Sequence, residues 1–148
     1  MKVERSRLNY PSHVPEGYVV MFTANHIIKH NGELVMGAGA ALAAKTAVPE
    51  LPMKFAGLIL EHPDDNIHGV PVGDGFYSSF KTKHHYKDQS TRDILVKSVS
   101  ELRDIANQHY DFNFLLNYPA IGYGGMTISE VMPIVKHLPD NVTLYLDT

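Results

Sequence analysis

Between Ser90 and Leu146 the chain switches twice from a helical to an extended hydrophobic period, and this alternation constrains its fold more than any other feature. Ser90-Thr91-Arg92-Asp93 has the form of a capping box with Asp in place of Glu. Ile94, Leu95, Val99, Leu102, Ile105 and Ala106 then recur at helical spacing. Residues 112–117, FNFLLN, form a short apolar run of the kind a buried strand requires. Thr127-Ile128-Ser129-Glu130 is a second capping box, opening a helix through Val131, Ile134, Val135 and Leu138, and residues 142–146 make a last strand. Strands alternating with helices predict an α/β sandwich around a mixed or mostly parallel sheet.

The first half is less regular but fits the same plan. Residues 18–23 are β-branched and aromatic and predict a strand ending at Ala24-Asn25, while residues 2–8 alternate weakly and suggest an edge strand. The segment after Asn25 has no firm period and contains the turn signal Asn31-Gly32. From Gly39 to Val48 the alanine content predicts a helix, closed by Pro49 because proline cannot continue a helix interior. Pro52 opens another short helix through Met53, Phe55, Leu58, Ile59 and Leu60, ended by His62-Pro63. Gly73-Asp74-Gly75 then joins two extended runs as a hairpin.

A chain of 148 residues without repeat, low-complexity tract or linker is expected to fold as a single domain over residues 1–148. The formal net charge of −3 and the scattered lysines and arginines argue against sequence-specific nucleic-acid binding. No cysteine is present, which excludes disulfides and thiolate metal sites. The nine histidines lack a helical H-x-x-x-H pair with a third ligand, so neither a metal centre nor a cofactor is expected. Neither an apolar leader nor a run long enough to cross a bilayer is visible, and the expected location is cytoplasmic, with the oligomeric state open.

In open α/β sheets, ligands bind beyond the carboxyl ends of the strands. Two glycine-rich loops fall at such places, Met36-Gly37-Ala38-Gly39-Ala40 and the segment Pro119 to Met126. Glycine lets a backbone approach a ligand closely, and a helix N-terminus adds unpaired N–H groups and a positive dipole end suited to phosphate. Each loop alone serves equally as a tight strand–helix turn; the two together could clasp one elongated phosphate ligand. A dinucleotide fingerprint is excluded by Leu42, where G-x-G-x-x-G/A needs a small residue, and no G-K-S/T triplet supplies a Walker loop. Between the loops, Lys81, Lys83 and Lys87 could depress one another's pKa and so activate a nucleophile, could ring a phosphate, or could form a solvated basic loop.

Four segments carry a resemblance: Phe22-Thr23-Ala24-Asn25, Met36-Gly37-Ala38-Gly39-Ala40, Thr82-Lys83-His84-His85-Tyr86 and Pro119-Ala120-Ile121-Gly122-Tyr123-Gly124-Gly125. In order and spacing, from about residue 18 to the C-terminus, they resemble the macrodomain family, closest to the branch of the DarG antitoxin and the terminal ADP-ribose protein glycohydrolase. The resemblance implies a three-layer α/β/α sandwich with a central mixed sheet, and ADP-ribose or an ADP-ribosylated macromolecule as partner. By position it implies that Asn25 and the loop of Met36, Gly37, Ala38, Gly39 and Ala40 cradle the distal ribose, with Thr82 beside it. Ile121, Gly122, Tyr123, Gly124, Gly125 and Met126 would wrap the diphosphate through backbone N–H groups, and Lys83 falls on the branch's catalytic lysine.

Two departures stand out. No acidic residue follows the second glycine loop before Glu130, which reads as the cap of its own helix. No aspartate occurs before residue 64, where macrodomains commonly carry a G-D-I/L aspartate that contacts adenine. Three activities remain open: removal of ADP-ribose from modified protein or nucleic acid, sequestration of ADP-ribose without turnover, and hydrolysis of ADP-ribose 1″-phosphate.

Overall fold

The computed structural model describes residues 1–147. Its strands are β1 (Lys2–Glu4), β2 (Tyr18–Ala24), β3 (Ile67–Val72), β4 (Gly75–Lys81), β5 (Asn113–Asn117) and β6 (Val142–Tyr145). Its helices are α1 (Gly39–Ala47), α2 (Leu51–Glu61), α3 (Arg92–Gln108) and α4 (Ile128–Val135), with a single 3₁₀ turn at Gly122–Gly124. The six strands form one sheet in the order β1-β6-β5-β2-β4-β3, in which only the β3–β4 pair is antiparallel. Strand β2 therefore lies centrally, between β4 and β5, where chain connections leave in opposite directions. Such a reversal opens a crevice at the strands' carboxyl ends.

The pleat of β2 divides the core. Val20, Phe22 and Ala24 pack with Ala44, Leu51, Phe55 and Ala56 of α1 and α2 on one face. Val19 and Met21 pack with Leu95, Val99, Leu102, Val131 and Val135 of α3 and α4 on the other. The result is the three-layer α/β/α sandwich around a mixed sheet that the sequence and its resemblance predict.

Local chemistry explains the element ends. Pro52 sits in the first turn of α2, where its missing N–H costs nothing. Gly73, at φ 62, takes the first central position of the hairpin turn between β3 and β4. Thr127 and Glu130 make the reciprocal capping box of α4: the Thr127 hydroxyl accepts from the Glu130 N–H, and the Glu130 carboxylate accepts from the Thr127 N–H. Two sequence expectations shift. The edge strand is confined to Lys2–Glu4, held by its register on β6. The cap of α3 is Thr91, whose hydroxyl accepts from the Ile94 N–H. Ser90 is buried against the second glycine loop, its N–H donating to the Gly124 carbonyl, so it is packed where a cap would have to reach outward.

Candidate active site at the strand carboxyl ends

The parallel strands β2, β4, β5 and β6 deliver Asn25, Thr82, Tyr118 and Asp147 to the same edge of the sheet. There a cleft of about 560 Å³ opens, walled by both glycine loops and by the segment after β4. Of the residues expected from sequence, Asn25, Ala38, Gly39, Ala40, Thr82, Lys83, Ile121, Gly122, Tyr123 and Gly124 line it. Segments far apart in the chain thus meet around one space, as two jaws must.

The backbone gives the jaws their character. Ala38 is the N-cap of α1, and no side chain caps it, whereas α3 and α4 are capped by Thr91 and Thr127. The first-turn N–H groups of α1 therefore present uncompensated donors and the positive dipole end beside the cleft. On the facing loop, the N–H groups of Gly124, Gly125 and Met126 are spent on the carbonyls of Ile121, Gly122 and Ala120. Those of Ile121, Gly122 and Tyr123 meet no acceptor among the described residues. Ala120 bends the chain into this turn at φ 68, a left-handed conformation costing an alanine about 1–2 kcal/mol. Consecutive free amides on a strained loop make an anion-binding concavity.

Four expected residues lie elsewhere, each for a visible reason. Met36 is buried in the core beneath α1 and α2, since its apolar side chain gains more there than at a polar cleft. Gly37 borders a neighbouring groove with Lys29, His30 and Lys45. Gly125, at φ 79, and Met126 close the turn from behind. Asn25 does line the cleft, but its amide braces its own loop: Nδ2 donates to the Val35 carbonyl and Oδ1 accepts from the Ile27 N–H. Its role here is to hold the connection toward α1 in place.

Lys83 is half-buried, and its Nζ donates to the Tyr123 carbonyl at 3.4 Å, so the post-β4 segment reaches across to the second loop. Burial, and then the charge of Lys97, hold the Lys81 amine below its ordinary value. The neighbouring cation is thus Lys97 on α3, which no proximity in sequence to Lys83 or Lys87 foretells. Tyr123, 82% exposed, stands over the cleft with its ring 4.0 Å from where a Cβ on Gly39 would be.

Residues that sequence reading missed complete the walls. Asn117, at the end of β5, accepts from the Thr23 N–H at 3.0 Å and from the Tyr10 hydroxyl at 3.4 Å, and donates to the Thr23 hydroxyl at 3.0 Å. A polar residue ending an apolar strand was the available signal. Tyr86, Asp88, Gln89, Tyr145 and Asp147 also line the cleft. Asp88 accepts from the His85 N–H, and with Asp147 it brings carboxylates to a site whose expected acids are absent. Glu130 is not available, because its carboxylate is engaged by Thr127.

Behind the cleft, the His26 N–H donates to the His84 carbonyl and its ring lies 5.6 Å from that of His68. Burial first, then Lys81, His68, His84 and Lys97, push the His26 pKa down to about 3. The folded protein therefore favours neutral His26, and the unfolded chain binds the extra proton. This contribution to stability is complete above the ordinary histidine value near 6.5 and is lost as pH falls from there toward 3. Urea midpoints measured across that window should fall less steeply for His26→Gln than for the parent; parallel slopes would contradict the assignment.

No protein-family model and no curated protein matches this sequence. Solved structures do match its fold. The macrodomain of Thermus aquaticus DarG superposes with a TM-score of 0.76 at 20% identity, covering 99% of this chain and 97% of that one. The macrodomain of Mycobacterium tuberculosis DarG gives 0.73 at 18% identity, over 99% and 98% of the two chains. The fold is the macrodomain fold. A third macrodomain-fold match, Thermosipho africanus DarTG solved in complex with ADP-ribose, gives 0.71 at 18% identity, with 86% of this chain covered. The present chain spans 37% of that protein's length. No described helix of this macrodomain fold is long and apolar enough to cross a membrane.

Proposed function

We propose that the cleft binds ADP-ribose and that the protein releases ADP-ribose from a modified macromolecule. One observation carries the binding: the uncapped start of α1 faces a loop whose Ile121, Gly122 and Tyr123 amides lack acceptors. A diphosphate is the group that such paired donors accommodate, and the glycines keep Cβ atoms out of its way. The complex of the Thermosipho africanus protein with ADP-ribose supports this ligand for the shared fold.

Lys83 lines the cleft beside the second glycine loop and is the residue for the chemistry. In the reaction, the bond between the anomeric carbon and the target's nitrogen or oxygen breaks. Water supplies the new hydroxyl at that carbon, and its remaining proton goes to the leaving group. The carbon gains positive charge as the bond opens, so attack by a neutral Lys83 amine lowers the barrier. The C–N bond this forms is then broken by the water that supplies the hydroxyl, which returns the amine. With the parent protein, an ADP-ribosylated protein or oligonucleotide should release free ADP-ribose. Lys83→Ala should slow release by about a hundredfold or more while ADP-ribose still binds. Unchanged release by Lys83→Ala would remove that residue from the mechanism.

Sequestration without turnover is the second reading. It is favoured by the capping role of Glu130, which leaves no free acid directly after the second loop. It predicts the same calorimetric binding with modified substrates left intact.

A further inference from the structure

Strand β4 ends at Lys81, and the chain then turns into the segment that carries Lys83. On its β3 side that end lies one residue past the last pairing, Ile67 with Phe80, so its backbone needs partners beyond the strand register. A closed ring of hydrogen bonds supplies them. The Lys81 N–H donates to the Asn66 carbonyl at 3.0 Å. The Lys81 carbonyl accepts from the Ser98 hydroxyl, and the Ser98 oxygen accepts in turn from Asn66 Nδ2 at 2.9 Å. Asn66 and Ser98 therefore hold both backbone groups of one residue, two positions before Lys83.

The ring is buried and itself braced. Ser98 is fully buried and Asn66 nearly so. Glu101, one turn along α3, accepts from the Asn66 N–H with both carboxylate oxygens, at 2.9 and 3.1 Å, and from the Ile67 N–H at 3.3 Å. Ser98 takes a buried position of α3 among Leu95, Val99 and Leu102, where the helical pattern calls for an apolar residue. Its single hydroxyl proton goes to Lys81. Downstream, the Thr82 N–H donates to the Ala24 carbonyl at 3.1 Å, and the His84 carbonyl accepts from the His26 N–H at 2.9 Å. Lys83 thus projects from a span fixed on both sides. Neither Asn66 nor Ser98 lines the cleft, so the ring can influence chemistry there only through the chain it holds.

We propose that Ser98 and Asn66 are positioning residues that set the direction in which Lys83 enters the cleft. This rests on the reading above, in which Lys83 attacks the anomeric carbon. Attack needs the amine about 3–3.5 Å from that carbon, and a misplacement of about 1 Å costs about a hundredfold in rate. Without the Ser98 hydroxyl, the Lys81 carbonyl and the Asn66 amide lose their partners in a site where neither can be left unpaired. The end of β4 shifts to satisfy them, and Lys83 shifts with it. The free amides of α1 and of the second glycine loop belong to other elements and stay in place.

Single-turnover release of ADP-ribose from a modified protein or oligonucleotide, measured beside calorimetric binding of free ADP-ribose, tests this. Ser98→Ala should release about tenfold or more slowly while binding ADP-ribose as the parent does. In a Lys83→Ala background the same substitution should change nothing further, because it acts only through that side chain. If Ser98→Ala does not fold, Ser98→Cys, which keeps a side chain of similar shape with a weaker donor, should show the same pattern at smaller size. An unchanged rate in the variant that folds, a matching loss of ADP-ribose affinity, or an equal slowing in the Lys83→Ala background overturns the assignment and leaves the proposed reaction standing. No release by the parent overturns both.

Discussion

Gly75→Ala is expected to lower the melting temperature by about 10 °C or more, as a loss of about 3 kcal/mol would in a chain of this size. A Cβ at that position would lie 2.5 Å from the carbonyl oxygens of both Pro15 and Tyr18 and 2.6 Å from a Val14 methyl. Carbonyl oxygens belong to backbone and cannot rotate aside, so the start of β4 would have to separate from the segment entering β2. That segment leads into the central strand, and the damage would spread to the sheet. Gly57→Ala provides the contrast. It lies on the exposed side of α2 with nothing within 4 Å, and alanine there should raise stability by about 0.5–1 kcal/mol. Equal melting temperatures for the two variants would show that the β2–β4 entry is not closely packed.

Gly122→Val should have the opposite profile, with a large effect on binding and a small one on folding. No atom lies within 4 Å of a Cβ at Gly122, so nothing clashes. Its φ of 62, however, is left-handed, and a β-branched residue pays about 1–2 kcal/mol or more to stay there. The loop relieves that strain by turning the peptide, which misdirects the free amides of Gly122 and Tyr123. Two lost hydrogen bonds to a charged diphosphate amount to a fall in ADP-ribose affinity of about a hundredfold or more. Calorimetry alongside thermal melting separates the two effects. Full affinity in Gly122→Val would show that this loop does not hold the ligand.

These two glycines differ in how far sequence alone could place them. Gly122 sits in a recognisable glycine loop after an apolar strand, and its side of the cleft was readable from FNFLLN followed by a capped helix. The hairpin at Gly73-Asp74 and the alanine helix were readable for the same reason, because strong local propensities agree there with the final fold. Gly75's contact with Pro15 and Tyr18 depends on which strand neighbours which, and no local pattern encodes that.

The same limit applies to side-chain placement. The resemblance puts Met36 in the cradle loop, and packing turns its side chain into the core. Thr91 rather than Ser90 caps α3 because the second glycine loop, more than thirty residues later in the chain, occupies the space around Ser90. Asp147 entered the site only once β6 was laid against β1. Local signals located the two jaws; tertiary pairing determined which atoms of them are free.

Amide NMR during titration with ADP-ribose shows whether the start of α1 and the second glycine loop clasp the diphosphate. Saturable shifts concentrated at the start of α1 and at Ile121, Gly122 and Tyr123, with Gly125 and Met126 much less affected, are the predicted result. Shifts confined to other surfaces, or none at millimolar ADP-ribose, would contradict it.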